Sequence, residues 1–82
     1  MLITYDEPKR LKTLVERGLD FASLTVEFFD NAKVFEAKND RLMAIGEFNG
    51  QIIIAVVFRP LGSEAISVIS MRPASKKERS LL

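Results

Sequence analysis

An Asn49-Gly50 pair between two apolar runs, Arg41 to Phe48 and Gln51 to Arg59, constrains this chain more than any other feature. Both residues tolerate positive φ, which the two central positions of a type I′ turn require, so the pair predicts a β-hairpin. A two-residue turn sets Phe48 opposite Gln51, Gly46 opposite Ile53, Ala44 opposite Ala55 and Leu42 opposite Val57 on one face. On the other face Glu47, Ile45, Met43 and Arg41 meet Ile52, Ile54, Val56 and Phe58. Both faces are then largely apolar. That suits central strands, with helices over one face and a partner or the C-terminal segment over the other.

The rest of the chain supplies what such a hairpin needs as neighbours. Leu2 to Tyr5 is a short strand, and Asp6-Glu7-Pro8 ends it and starts a helix over about residues 7–17, with Asp6 as cap and Pro8 in the first turn. Leu11, Leu14 and Val15 recur at helical spacing and predict its packed face, and Gly18 its C-cap. Asp20 caps a second helix whose stripe is Phe21, Leu24, Phe28 and Phe29, ending near Asp30-Asn31. Val34-Phe35 and Glu64 to Arg72 add two strands, with a turn at Pro60-Leu61-Gly62-Ser63. In the last strand Ile66, Val68 and Ser70 should alternate with Ser67, Ile69 and Met71. Ser75 and Glu78 stand as a capping box for a short final helix. The expected fold is α+β: one N-terminal strand, two helices, a mainly antiparallel sheet of about four strands and a short C-terminal helix. At 82 residues it forms a single domain, 1–82.

Function classes fall away with two missing residue types. The chain has no histidine and no cysteine, so thiol nucleophiles, disulfides, Cys/His zinc sites and Ser-His-Asp triads are excluded. Its net charge of +1 conceals a division. Residues 19–50 carry six acids and three bases, whereas residues 59–82 carry five bases and two acids. The basic end permits an anionic partner. No basic start precedes an early apolar stretch, and the longest apolar run, Ile52 to Phe58, is far below the roughly 20 residues that span a bilayer, so a cytoplasmic protein without membrane contact is expected.

Two basic groups are candidates for binding an anion. Arg72 ends a strand, where its planar five-donor fork suits bidentate phosphate binding, and Lys76, Lys77 and Arg79 follow on the last helix, whose first backbone N–H groups could add donors. The competing reading pairs Arg72 with Glu78. The second group is Lys9, Lys12 and Arg17 on the first helix, where Arg17 also complements the helix dipole.

Tyr5-Asp6-Glu7-Pro8-Lys9, Glu16-Arg17-Gly18-Leu19-Asp20-Phe21, Arg41-Leu42-Met43-Ala44-Ile45-Gly46 and Ile69-Ser70-Met71-Arg72-Pro73-Ala74-Ser75-Lys76-Lys77-Glu78-Arg79 resemble the BrnT family of toxins. The resemblance spans nearly the whole chain, and the last block carries most of it. It implies a RelE/ParE-like fold, a metal-independent endoribonuclease that arrests translation, no cofactor, and neutralisation by a cognate BrnA-like antitoxin. The family's site would draw on Lys9, the Arg17 position, Arg72, Glu78 and Arg79, and with the basic groups above the expected roles are catalytic for Lys9, Arg72 and Glu78 and RNA-binding for Lys12, Arg17, Lys76 and Arg79. Many members carry a histidine where this chain has Arg17. RNA supplies its own nucleophile in the 2′-hydroxyl, so such a site must align the phosphate, move protons and stabilise phosphorane charge. Arg72 is the choice for the charge, with Lys9 and then Glu78 for the proton. Two other classes share these features: a toxin of similar fold that blocks a protein target such as gyrase, and a module that binds nucleic acid without cutting it.

Overall fold

A computed structural model describes all 82 residues. The elements run β1 (Leu2–Tyr5), α1 (Glu7–Arg17), a 3-10 turn (Phe21–Ser23), α2 (Val26–Asn31), β2 (Lys33–Glu36), β3 (Leu42–Phe48), β4 (Ile52–Leu61), β5 (Ala65–Pro73) and α3 (Lys76–Arg79). The five strands form one mixed sheet in the order β1-β5-β4-β3-β2. β1 is parallel to β5 and the other three pairs are antiparallel. No helix is long and apolar enough to cross a membrane.

Local signals place α1 as expected. The Asp6 side chain accepts from the Lys9 N–H, proline occupies the first turn, and Gly18 at φ +69° closes the C-terminus. Its packed face differs from the expected one. Arg10 bonds Asp20 through Nε and Nη2, at 2.8 and 3.2 Å, and Arg17 Nη1 donates to the Met71 carbonyl at 3.0 Å. These two arginines and half-buried Leu14 turn inward at i, i+4, i+7 spacing, which leaves Leu11 and Val15 exposed.

The helix expected from Asp20 is broken in two. Asp20 caps only the 3-10 turn, Leu24 is extended at ψ 139°, and Thr25 caps α2 by accepting from the Phe28 N–H. Across the break Phe21, Leu24 and Phe28 all still reach the core, as the apolar stripe required.

The hairpin register is one residue away from the expected one. Asn49 and Gly50 do adopt positive φ, 55° and 66°, and the Gln51 N–H closes the turn on the Phe48 carbonyl at 3.1 Å. Gln51, however, stays out of the ladder, so Phe48 pairs with Ile52, Gly46 with Ile54, Ala44 with Val56 and Leu42 with Phe58. The gain is physical: Ile54, Val56 and Phe58 then join Phe48 and Ala44 on the face beneath the helices. β5 corrects its own alternation in a similar way. Val57 pairs with Ser70 and Phe58 with Val68, leaving Ile69 unpaired as a bulge. Met71 therefore shares the core face with Val68 and Ile66, against the expectation that it would oppose them. β4 also runs on through Pro60, which pairs with Ile66, so the turn falls later than expected.

The core lies between this face and the helical layer, where Leu19, Phe21, Leu24 and Phe28 meet Ala44, Phe48, Ile54, Val56, Phe58, Ile66, Val68 and Met71. Gly46 marks the closest approach of sheet to helix. A Cβ there would lie 3.1 Å from the Ala32 Cβ and 3.3 Å from a ring carbon of Phe28.

The opposite face has its own cover. Arg72, Ala55, Ile45 and Lys33 form a continuous row across β5, β4, β3 and β2. The two ends of the row hold the C-terminal segment, Arg72 through Glu78 and Lys33 through the Leu81 carbonyl at 3.3 Å. The segment bridges the middle of the row, and Ala55 and Ile45 are fully buried.

Candidate active site

The site begins with a strand that outruns its neighbour. β1 pairs with β5 only from Ala65 to Val68, so beyond that point one edge of β5 is open. Arg17 occupies this edge by donating to the Met71 carbonyl. The next residue, Arg72, projects from the opposite face of the sheet, where it meets α3.

There the Arg72 guanidinium grips Glu78 end-on: Nη1 lies 2.6 Å from Oε1 and Nη2 lies 2.8 Å from Oε2. Glu78 is also the third residue of the capping box, taking the Ser75 N–H at 2.9 Å while its own N–H donates to Ser75 Oγ at 3.1 Å. Four residues make a helix too short to stand alone, so this box and the ion pair are what fix it. Glu78 retains only 15% of its side-chain exposure against 37% for Arg72. The bond from Arg72, then those from Ser75, hold the Glu78 carboxyl well below its ordinary value of 4.5, at about 2.

The end-on grip leaves part of the arginine unused. Nε and the second Nη2 hydrogen make no hydrogen bond, and together they are the side-on edge of the fork. An anion can take that edge bidentately without displacing Glu78. By contrast, the helix-start donors expected to help bind an anion are partly spent, since the Ser75 and Glu78 N–H groups both serve the capping box.

The other expected residues fall into distinct places. Lys76 and Arg79 are exposed on α3 beside Glu78 and form no ion pair. Lys9 and Lys12 are exposed on α1, also without ion-pair partners. Lys9 precedes Arg17 by two turns, roughly 12 Å of helix rise. The structure thus joins Arg72 to Glu78 and sets Arg17 against the neighbouring carbonyl, and no lysine forms a hydrogen bond or ion pair with any of the three. Arg59 was not singled out from the sequence. It shares the sheet face of Ala55 and Arg72, four residues along β4, and is exposed without an ion-pair partner. The parity of Ala55, Val57 and Arg59 was the signal for it.

This is an open surface instead of a pocket. Clefts of about 200 and 300 Å³ lie elsewhere, one beside Thr25 and Glu47 and one beside Glu36 and Arg41, and neither is lined by the residues above. No group of three or more His, Cys, Asp or Glu residues is placed to hold a metal ion.

Comparison with known proteins bears on what such a surface does. A family model described as "Ribonuclease toxin, BrnT, of type II toxin-antitoxin system" matches residues 5–78. The chain is similar to the 1.1 Å crystal structure of the Brucella abortus ribonuclease toxin BrnT, with a TM-score of 0.86 and 67% sequence identity over 93% of this chain and 99% of that one. Among curated protein sequences, none matches.

Proposed function

The chain belongs to the BrnT family of ribonuclease toxins of type II toxin–antitoxin systems, and from that premise we propose that it is a metal-independent endoribonuclease of RelE-like fold. It acts in the cytoplasm as the single domain 1–82, cuts RNA to halt translation, and is neutralised by a cognate BrnA-like antitoxin. The observation that carries this reading is the Arg72 fork, fixed end-on by Glu78 with its side-on edge free.

The chemistry follows from that edge. A phosphodiester oxygen accepts from Arg72 Nε and Nη2, and the adjacent 2′-hydroxyl attacks phosphorus in line. Charge grows on the non-bridging oxygens at the phosphorane, where the fixed guanidinium is worth most. The 2′-hydroxyl gives up its proton as it attacks, the P–O5′ bond breaks and the leaving 5′ oxygen takes up a proton, leaving a 2′,3′-cyclic phosphate and a 5′-hydroxyl. Glu78 serves this step by positioning Arg72, because both of its oxygens are engaged and its carboxyl is held near 2. Lys9, the other residue offered for proton transfer, lies on α1 roughly 12 Å of helix rise from Arg17, so the protons of this step are exchanged with water. Lys12, Arg17, Lys76 and Arg79 hold neighbouring phosphates, and Arg59 extends the same sheet face.

Induced expression followed by mapping of RNA 5′ ends tests the reading. It predicts new 5′-hydroxyl ends that disappear with Arg72→Ala. Intact RNA in arrested cells would point instead to a toxin that blocks a protein target.

A further inference from the structure

The outward face of α1 is left unexplained by catalysis. Its inner face is fastened at Arg10, Leu14 and Arg17, which fixes the direction of every other side chain on the helix. At about 100° per residue, Leu11 and Val15 fall on the side turned away from the sheet, one helical turn apart. Leu11 is 49% exposed and Val15 84%, the highest value among the large hydrophobic residues of the chain. Exposed Pro8 extends the strip by another turn. Beside it on the helix surface lie Lys12 and then Lys9, with Glu16 the one acid among them, and none of the three has an ion-pair partner.

An aliphatic i, i+4 pair facing solvent with a net basic flank is the imprint of a partner helix that is apolar along one stripe and acidic beside it. We propose that the Pro8–Leu11–Val15 strip of α1 is the docking site of the protein antitoxin, which lays such an acidic amphipathic segment along it. The proposal rests on the toxin reading only for the existence of an antitoxin. A second copy of this chain docking through the same strip is a poorer occupant, because it would bring another Lys9 and Lys12 where an acidic stripe fits. Docking here covers Lys9 and Lys12 and ends beside Arg17. The antitoxin would then neutralise the toxin by taking the cations that RNA would otherwise use.

The test uses the full chain carrying Leu11→Ser and Val15→Ser together, with Val26→Ser on α2 as a control of similar chemistry off the strip, and the purified cognate antitoxin as probe. The double variant should bind the antitoxin at least about tenfold more weakly by calorimetry and should escape rescue on co-expression, while cutting RNA at the wild-type rate. The Val26 variant should bind normally. A second change, Lys12→Glu, should weaken antitoxin binding most at low salt. Wild-type affinity in both the double variant and Lys12→Glu overturns the proposal. So does loss of RNA cleavage with antitoxin binding intact, which would assign the strip to the substrate. If the wild-type chain cuts no RNA yet the double variant still loses the antitoxin, the docking site stands and the ribonuclease reading falls.

Discussion

Arg72 and Glu78 show how two residues six apart become one unit. The sequence revealed both the capping box and the competing ion pair, because Ser-x-x-Glu is a local signal, and the two readings turn out to describe the same carboxylate. Arg17 was less legible, since its partner is a main-chain carbonyl 54 residues away that leaves no trace in side-chain chemistry. The lowered Glu78 carboxyl has a stability consequence with a definite sign. A carboxylate whose folded value lies below its unfolded value stabilises the fold above about pH 4.5 and loses that contribution as pH falls towards 2. Thermal melts over this range should therefore decline less steeply for Glu78→Gln than for the wild type. Some decline should persist, because the bond from Arg10 also lowers Asp20. Equal slopes would show that the pair is not formed in solution. Gly46→Ala probes packing at the same scale: with Ala32 at 3.1 Å and Phe28 at 3.3 Å, the added methyl should cost about 1–3 kcal/mol in a denaturant titration.

At the scale of elements, α1, its caps and the identity of every strand could be read from propensity and turn chemistry. Other features could not, among them the hairpin register and the β5 bulge, which the core decided, and the face that α1 turns inward, which polar contacts decided. The Asn49-Gly50 turn was recognised, yet turn residues alone do not say whether Gln51 joins the ladder; burial of Ile54, Val56 and Phe58 does. The bulge at Ile69 likewise puts Met71 and Val68 on one face. The packed face of α1 was misjudged because Arg10 and Arg17 occupy it, where apolar spacing favoured Leu11 and Val15. A deletion separates turn from register. Removing Gln51 keeps Phe48 facing Ile52 across a two-residue loop, so the melting temperature should stay within about 5 °C of the wild type. A fall well beyond that would show that the turn needs Gln51 to hold the register.

Over the whole molecule, the near-neutral charge is a cancellation that the fold partly preserves. Arg10 is neutralised by Asp20 and Glu7, and Arg72 is held by Glu78, while Lys9, Lys12, Arg59, Lys76 and Arg79 have no ion-pair partners. If Lys9, Lys12, Arg17, Arg72, Lys76 and Arg79 all meet phosphates, the logarithm of RNA affinity should fall with the logarithm of salt with a slope of about −4. Each lysine replaced by alanine should make that slope shallower by about 0.7. A slope near zero would remove the basic surface from substrate binding. The most direct measurement is cleavage of a defined RNA by the purified chain in the presence of a chelator, comparing wild type with Arg72→Ala and Arg72→Lys. The expected result is product with 2′,3′-cyclic phosphate and 5′-hydroxyl ends, and a rate reduced about a hundredfold or more in both variants, because lysine lacks the side-on fork. Cleavage by Arg72→Ala at the wild-type rate, or no cleavage by the wild type until a divalent metal is added, would contradict it.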